Sequence, residues 1–209
     1  MSTLPFPVSL SEKYRPVKVS DFIGLEKPRK IIARFTENPK SCAFLFVGPS
    51  GTGKTSMAQA LCSAIRGEFH HLPSGKCDAR AIDEIVRMCW YVPQSGTFHV
   101  IVVDESDRMT EGAQLALLSK LDSTAAPPQT IWVFTCNYTK GLEPRFLSRC
   151  MVVEFSSYGM AGEIAAFLDR VWHAEGGNGN CPDLARLAKE SRNNVRDCLN
   201  RLEVELLGA

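Results

Sequence analysis

The stretch Ala43-Phe-Leu-Phe-Val47, continued by Gly48-Pro-Ser-Gly-Thr-Gly-Lys54-Thr55, decides the fold of this chain. It begins with an uninterrupted apolar run, which is typical of a strand buried on both faces of a parallel sheet. The run ends in a glycine-rich loop, after which we expect a helix from Lys54. A buried strand followed by a short loop and a helix predicts an α/β domain.

The loop fits the phosphate-binding pattern G-x-x-x-x-G-K-[ST], known as a P-loop. Glycines let backbone N–H groups turn inward around a phosphate, and the helix N-terminus adds its positive dipole end. In this pattern Lys54 reaches the β- and γ-phosphates of ATP, and the Thr55 hydroxyl ligates Mg²⁺. The alternative is a glycine-rich turn that binds nothing. The predicted nucleotide-binding residues of the loop are Gly48, Pro49, Ser50, Gly51, Thr52, Gly53, Lys54, Thr55 and Ser56.

Two acids follow a second apolar run, Val100-Ile-Val-Val-Asp104-Glu105. Ligands of open parallel sheets bind outside the carboxyl ends of the strands, so we expect these acids to face the P-loop. Asp104 is predicted to belong to the coordination shell of Mg²⁺, and Glu105 is predicted to polarise the attacking water. The alternative is an acidic helix N-cap. Nothing requires Asp107 in the site, so a solvated face or a helix cap is the better interpretation.

A third apolar run, Ile131-Trp-Val-Phe-Thr-Cys, ends in Asn137. An amide can both donate and accept hydrogen bonds, so Asn137 could align the attacking water with the γ-phosphate. The alternative is an ordinary turn asparagine. Helical stretches at residues 21–36, 79–90 and 111–121 alternate with the strands, which predicts a parallel sheet with helices on both faces.

After Phe155 the sequence pattern changes from alternating strands and helices to helices. Residues 161–175 form an amphipathic pattern, residues 176–180 are a turn cluster, and residues 182–207 carry two further helical patterns. We therefore predict an αβα nucleotide-binding core at 1–155 and a small all-helical lid domain at 156–209, with a hinge at 156–159. The proline-containing segment before Gly24 is expected to be an extended lead-in.

The composition is that of an ordinary folded chain. The 209 residues suffice for one large domain, or for one domain with a small appendage. Hydrophobic residues make up 44% and charged residues 22% of the sequence, which excludes disordered and fibrous classes. The formal net charge is only +1, so any site for a polyanion must be local.

The eight cysteines are scattered and include no C-x-x-C pair, which argues against a zinc module and a disulfide framework. We interpret them as reduced, mostly buried thiols of a cytosolic protein. The chain lacks a basic leader, and no apolar run approaches the ~20 residues of a membrane span. We therefore expect a soluble, cytoplasmic protein with no membrane partner. The cysteines are Cys42, Cys62, Cys77, Cys89, Cys136, Cys150, Cys181 and Cys198.

With the P-loop, the Asp-Glu strand and the Asn strand in this order, the chain resembles the AAA+ ATPases. More narrowly, it is similar to the small subunits of sliding-clamp loaders, the replication factor C group, over residues 12–207. The resemblance implies ATP hydrolysis with Mg²⁺, neighbouring AAA+ subunits as partners, and action on DNA or on a DNA-bound protein such as a sliding clamp or helicase. The alternative is a non-catalytic or nucleotide-gated subunit that binds ATP and regulates a partner such as a nuclease or helicase.

Three further segments carry the resemblance and imply roles for their residues. Ser148-Arg149-Cys150 resembles the motif whose arginine enters the next subunit's ATP site. Asn194-Val-Arg196-Asp-Cys-Leu-Asn200 resembles the lid motif whose arginine senses the γ-phosphate. Residues 12–16 and 21–24 resemble the lead-in that cradles adenine. The adenine-binding residues implied by that lead-in are Tyr14, Arg15, Pro16, Ile23 and Gly24.

The sequence also departs from the family pattern. Leu118-Ser119 stands where the family commonly carries an arginine pair. By analogy with the DNA-facing helix of clamp loaders, Lys76, Arg80 and Arg87 are our candidates for phosphate contacts, and a solvated helix face is the alternative. His70 and His71 have no ligand partners at useful spacing, so no metal role is assigned to them. From the length we expect the C-terminal collar domain of clamp loaders to be missing.

Overall fold

The computed structural model describes residues 8–122, 125–177 and 181–208. These residues form two compact units: a core unit of residues 17–156, and a helical unit that combines residues 8–16 with the described residues from 157 onward. The predicted division at 155/156 is therefore corrected at the N-terminus, since residues 8–16 group with the helical unit. The reason is a non-local contact, because Leu10 is buried and its N–H donates to Glu203 Oε2 at 3.1 Å.

Strands and helices alternate through the core unit, whereas the described residues of the helical unit form helices and their connections. The strands are β1 (Cys42–Val47), β2 (Glu68–Pro73), β3 (His99–Asp104), β4 (Thr130–Cys136) and β5 (Met151–Glu154). The helices are α1 (Leu10–Lys13), α2 (Glu26–Glu37), α3 (Lys54–Ala64), α4 (Ala79–Cys89), α5 (Glu111–Lys120), α6 (Pro144–Leu147), α7 (Ala161–Ala174), α8 (Leu184–Glu190) and α9 (Val195–Gly208).

The five strands form one sheet in the order β2-β3-β4-β1-β5, with every neighbouring pair parallel. This confirms the predicted parallel α/β core. The three central strands β3, β4 and β1 are the three apolar runs of the sequence, and their residues are almost all buried. Neither edge strand, β2 or β5, was predicted, because an edge strand is partly exposed and therefore has no continuous apolar run.

Helices pack on both faces of the sheet, as predicted. On one face the Phe35 ring of α2 meets the Phe44 ring of β1 edge-on, with centroids 4.9 Å apart. On the other face Phe134 of β4 meets Phe146 of α6 edge-on at 4.8 Å. Since successive residues of a strand point to opposite faces, the apolar runs supply side chains to both layers of the core.

The segment before Gly24 is less extended than expected, since it contains α1 and one turn of 3₁₀ helix at Val19–Asp21. Tyr14 explains part of this order: its hydroxyl donates to Glu175, and its ring lies edge-on to Phe167 with centroids 6.1 Å apart. Burial and the neighbouring carboxylate together raise the pKa of Tyr14 to about 12. The predicted turn cluster at 176–180 lies partly outside the described residues. Among the described residues, no helix is both long and apolar enough to cross a membrane.

The cysteines follow the prediction of unpaired and mostly buried thiols, since all eight are free and only Cys181 is exposed. Burial raises the pKa of the Cys42 and Cys150 thiols to about 12, and those of Cys62 and Cys136 to about 11. Because the thiolate is the reactive form, these cysteines are packing residues.

Candidate functional site

The P-loop joins the end of β1 to the start of α3, as the sequence predicts. Gly53 has φ +89°, in the left-handed region that glycine enters without strain, and α3 begins at the next residue, Lys54. Gly48 is also constrained, because a Cβ atom there would overlap the carbonyl oxygen of Phe155 at the end of β5. The chain can therefore turn at this point only with glycine.

Replacing Gly48 with alanine is expected to lower the free energy of unfolding by about 2–4 kcal/mol, because the added methyl group meets backbone rather than a flexible side chain. Urea denaturation followed by circular dichroism measures this change. Gly75→Ala is the matched control, since a Cβ atom at Gly75 has no atom within 4 Å. Equal stability of the two variants would contradict the tight approach of β5 to the loop.

Lys54 is buried at 8% exposure although it carries a charge. Its Nζ donates to the carbonyl oxygens of Gly48 and Pro49 at 2.7 and 2.9 Å, and to Asn137 Oδ1 at 3.2 Å. The ammonium group therefore lies inside the loop, in contact with the amide at the end of β4. Two residues 83 positions apart in sequence thus meet at the carboxyl edge of the sheet.

Asp104, the last residue of β3, lies against the first turn of α3. Its Oδ1 accepts from the Thr55 hydroxyl at 2.8 Å and from the Thr135 hydroxyl at 2.9 Å. A carboxylate and a hydroxyl at this separation are hard oxygen donors of the kind that Mg²⁺ prefers. The donor set that the structure brings together therefore fits the predicted ion.

Glu105 adopts a left-handed backbone conformation, with φ +54°. Such a conformation is uncommon for a residue with a side chain and often accompanies a functional position. Its backbone N–H donates to the Thr135 hydroxyl at 3.3 Å, and its carboxylate accepts from Arg108 Nη1 at 3.1 Å while 61% exposed. Glu105 thus lies at the site's rim with its carboxylate in an ion pair.

Thr135 and His71 at the site were not predicted, and neither were the contacts of Gln114 in α5. Thr135 contacts Asp104, as described above, and His71 Nε2 lies 3.0 Å from Asp104 Oδ2. Gln114 is buried in α5, where its Nε2 donates to the Gly141 carbonyl and its Oε1 accepts from the Glu143 N–H at 2.7 Å. The local sequence does not indicate these contacts, because each contact joins segments that meet only through sheet pairing or helix packing.

The two candidate arginines are both exposed but lie in different units. Arg149 follows α6 in the core unit, and its Nη1 donates to the Arg145 carbonyl at 2.8 Å. Arg196 lies in the first turn of α9 in the helical unit. The predicted adenine-binding residues are divided as well. Tyr14, Arg15 and Pro16 belong to the helical unit, whereas Ile23 and Gly24 belong to the core unit.

The three DNA-contact candidates are exposed on or beside α4. Lys76 lies in the turn before the helix, and Arg80 and Arg87 are two helical turns apart on one face. Asp83 lies between them on that face and pairs with Lys120 at 2.9 Å. The face is therefore of mixed charge.

Comparison with known proteins gives a family match for the chain. Residues 44–158 match the family described as "ATPase family associated with various cellular activities (AAA)". The replication factor C small subunit of Methanothermobacter thermautotrophicus is 34% identical over 151 residues, which cover 69% of this chain and 46% of that protein. The replication factor C small subunit of Methanosphaera stadtmanae is 29% identical over 199 residues, covering 92% and 61%. The chain thus spans about half to three fifths of these relatives.

Solved structures share the fold at lower identity. The RuvB Holliday junction branch migration motor of Thermotoga maritima matches with a TM-score of 0.74 and 18% identity, over 93% of this chain and 72% of that chain. At this identity the likeness shows the fold alone. It confirms the predicted AAA α/β class.

Proposed function

Because the chain belongs to the AAA family of ATPases, we propose that it is an ATP-hydrolysing subunit of clamp-loader type, which assembles into a nucleotide-dependent ring or spiral and acts on DNA or a DNA-bound protein. The observation that carries the proposal is the convergence of Lys54, Thr55 and Asp104 at the carboxyl edge of the sheet. Similarity to relatives named replication factor C small subunit supports the clamp-loader type.

The P-loop supplies most of the nucleotide binding. The loop leads directly into the N-terminus of α3, and a helix N-terminus presents its backbone amides and positive dipole end to phosphate oxygens. Lys54 already lies between the loop and Asn137, from where its ammonium group would neutralise the β- and γ-phosphates. Thr55 and Asp104 would hold Mg²⁺. When bound, this ion would supply positive charge that offsets the negative charge developing during phosphoryl transfer.

Glu105 and Asn137 are proposed to prepare the attacking water. Asn137 accepts a hydrogen bond from Lys54, so its amide would lie close to a γ-phosphate bound by Lys54 and would orient the water there. Glu105 would accept the proton of that water, which requires its carboxylate to leave Arg108. The left-handed backbone of Glu105 directs this residue away from the regular path of β3.

Arg149 is proposed to complete the ATP site of a neighbouring subunit. It is exposed, and a guanidinium held by a backbone carbonyl retains most of its donors for a phosphate. A site shared in this way makes assembly depend on nucleotide and makes hydrolysis depend on assembly. The helical unit is proposed to be the lid, in which Arg196 would sense the γ-phosphate as the lid closes.

The test is steady-state ATP turnover of the purified protein against protein concentration, with and without primed and duplex DNA, together with its mass in solution. A ring that is active by itself gives turnover that rises faster than linearly and increases with DNA. Negligible turnover by a monomer at every concentration would contradict a self-sufficient ring. Such a result would favour the nucleotide-gated subunit that serves a protein partner.

The DNA contacts can be tested separately. Arg80→Ala combined with Arg87→Ala is expected to lower the slope of log affinity against log salt by about 2, since each lost phosphate contact removes about 0.9. Fluorescence anisotropy of labelled duplex DNA measures the slope. Lys27→Ala combined with Arg34→Ala is the matched control, because these exposed residues have the same spacing on α2. Equal slopes for the two double variants would exclude α4 as the DNA-binding helix.

A further inference from the structure

The edge of the sheet opposite β5 carries a polar cluster that the ATP site does not use. It consists of Glu68 and His70 on β2 and His99 on β3. Each residue offers one ligand atom, and these atoms all lie within 4.8 Å of one another. His70 Nε2 lies 3.0 Å from His99 Nδ1, and Glu68 Oε2 lies 3.7 Å from the same nitrogen.

Strand pairing explains why the three side chains meet. Glu68 and His99 are direct partners in the parallel register of β2 and β3, and His70 lies two residues beyond Glu68. Residues two apart on a strand share a face of the sheet. His71 points to the other face, where it contacts Asp104, so the cluster is separate from the ATP site.

The hydrogen bonds around His99 set its tautomer. Its Nε2 lies 2.9 Å from the Tyr91 carbonyl oxygen, which can only accept, so Nε2 carries the proton. When the ring carries only this proton, its Nδ1 presents a lone pair to the cluster. His99 is only 3% exposed, so this nitrogen is buried. A histidine that donates one ring N–H to a backbone carbonyl is oriented in the way that metal-bound histidines almost always are.

Glu68 is oriented from outside in a similar way. Its Oε2 accepts from the Gln94 N–H at 2.7 Å. Gln94 and Tyr91 both belong to the segment that connects α4 to β3. The carboxylate and the buried imidazole are thus each tied to the same connecting segment, which leaves the ligand atoms facing one another.

We propose that Glu68, His70 and His99 bind a zinc ion. The bound ion would link edge strand β2 to β3 and stabilise the position of the α4–β3 connection. Two imidazoles and one carboxylate form a three-residue set found in zinc proteins, in which water takes the fourth position. Imidazole nitrogens favour zinc over magnesium and calcium, which prefer oxygen ligands. In the unbound cluster His70 Nε2 donates its proton to His99 Nδ1 at 3.0 Å, so zinc binding requires His70 to carry its proton on Nδ1 instead. The two ligand nitrogens must then separate slightly to give tetrahedral Zn–N bonds of about 2.0–2.1 Å.

No metal role was predicted for His70 or His71, because the sequence shows no ligand partner at a useful spacing from them. His70 and His99 are 29 residues apart, and Glu68 has no metal-binding signature of its own. The register of an edge strand, which was not predicted, is what brings the three together. The inference is independent of the proposed ATPase function, because the cluster lies on the other face of the sheet.

The test is a zinc titration of the intact protein without nucleotide, in competition with a chromophoric chelator. We expect one tight site per chain, and at least about 100-fold weaker binding for Glu68→Gln or His70→Ala, more than the loss of an outer partner usually costs. His173→Ala is the control, since His173 lies exposed on α7 in the helical unit. This variant should bind zinc as tightly as the parent protein. Unfolding curves without metal verify that each variant is folded, and Glu68→Gln changes the shape of the side chain least.

Cobalt substitution identifies the ligands. Co²⁺ at this site is expected to give the d–d absorption of a four-coordinate nitrogen and oxygen site, without the intense band that a cysteine thiolate adds. Zinc is also expected to raise the thermal unfolding midpoint of the parent protein but not of Glu68→Gln, because a metal bound only to the folded state stabilises it. Absence of tight binding, a thiolate band, or equal affinity in the parent and both cluster variants would overturn the proposal.

Discussion

The Glu105→Gln protein is expected to bind ATP as tightly as the parent protein and to hydrolyse it about 100- to 10,000-fold more slowly, the usual contribution of a general base. Glutamine keeps the size of the side chain but cannot accept a proton from the attacking water. Binding should survive because the P-loop, Lys54 and Asp104 are unchanged, and Glu105 is 61% exposed at the rim of the site.

Equilibrium binding of a fluorescent ATP analogue and steady-state phosphate release measure the two effects. Glu37→Gln at the end of α2 is the control, since it removes the same charge from an exposed position of the core unit. Loss of ATP binding in Glu105→Gln would assign Glu105 to nucleotide binding. Unchanged turnover would remove it from the chemistry altogether.

Arg149→Ala is expected to leave ATP binding by single subunits intact and to lower the turnover of the assembled protein by about 1,000-fold or more, as loss of an arginine finger does. The side chain lies exposed beyond α6, and its hydrogen bond to the Arg145 carbonyl is local. Its removal therefore costs the fold little, and the effect appears only where subunits share a site.

Arg145→Ala is the matched control, because Arg145 is exposed on α6, four residues before Arg149, and its substitution keeps the carbonyl that Arg149 uses. Turnover should be measured above the concentration at which the protein assembles. Equal turnover of Arg149→Ala and the parent protein would mean that the site is not shared.

Mixing the Arg149→Ala protein with the Glu105→Gln protein also tests whether neighbouring subunits share a site. A subunit with Arg149→Ala still has Glu105, and a subunit with Glu105→Gln still has Arg149, so some mixed interfaces contain a complete site. Partial recovery of turnover is therefore expected on mixing. A mixture as inactive as its components would contradict a site formed between neighbouring subunits.

Much of the core could be predicted from the sequence because its signals are local. The central strands are continuous apolar runs, since parallel strands with helices on both faces are buried on both faces. The P-loop is contiguous, so its glycines, Lys54 and Thr55 could be recognised together. Asp104 and Asn137 could be added because the carboxyl ends of parallel strands lie at one edge of the sheet.

The edges of the sheet were harder to predict. Strands β2 and β5 are partly exposed, and their alternating or short patterns resemble loops. The contact between residues 8–16 and the helical unit also escaped prediction, since the partners of Leu10 and Tyr14 lie more than 150 positions away in sequence. Contacts at such separations leave no trace in local periodicity.

The sequence by itself therefore determined the α/β class, the P-loop and the residues at the carboxyl ends of the central strands, because each depends on neighbours along the chain. Only the tertiary structure decided that His71 meets Asp104, and that His70 meets His99 and Glu68. Adjacent residues of β2 point to opposite faces, so the register of one edge strand sends one histidine to the ATP site and the other to the proposed zinc site.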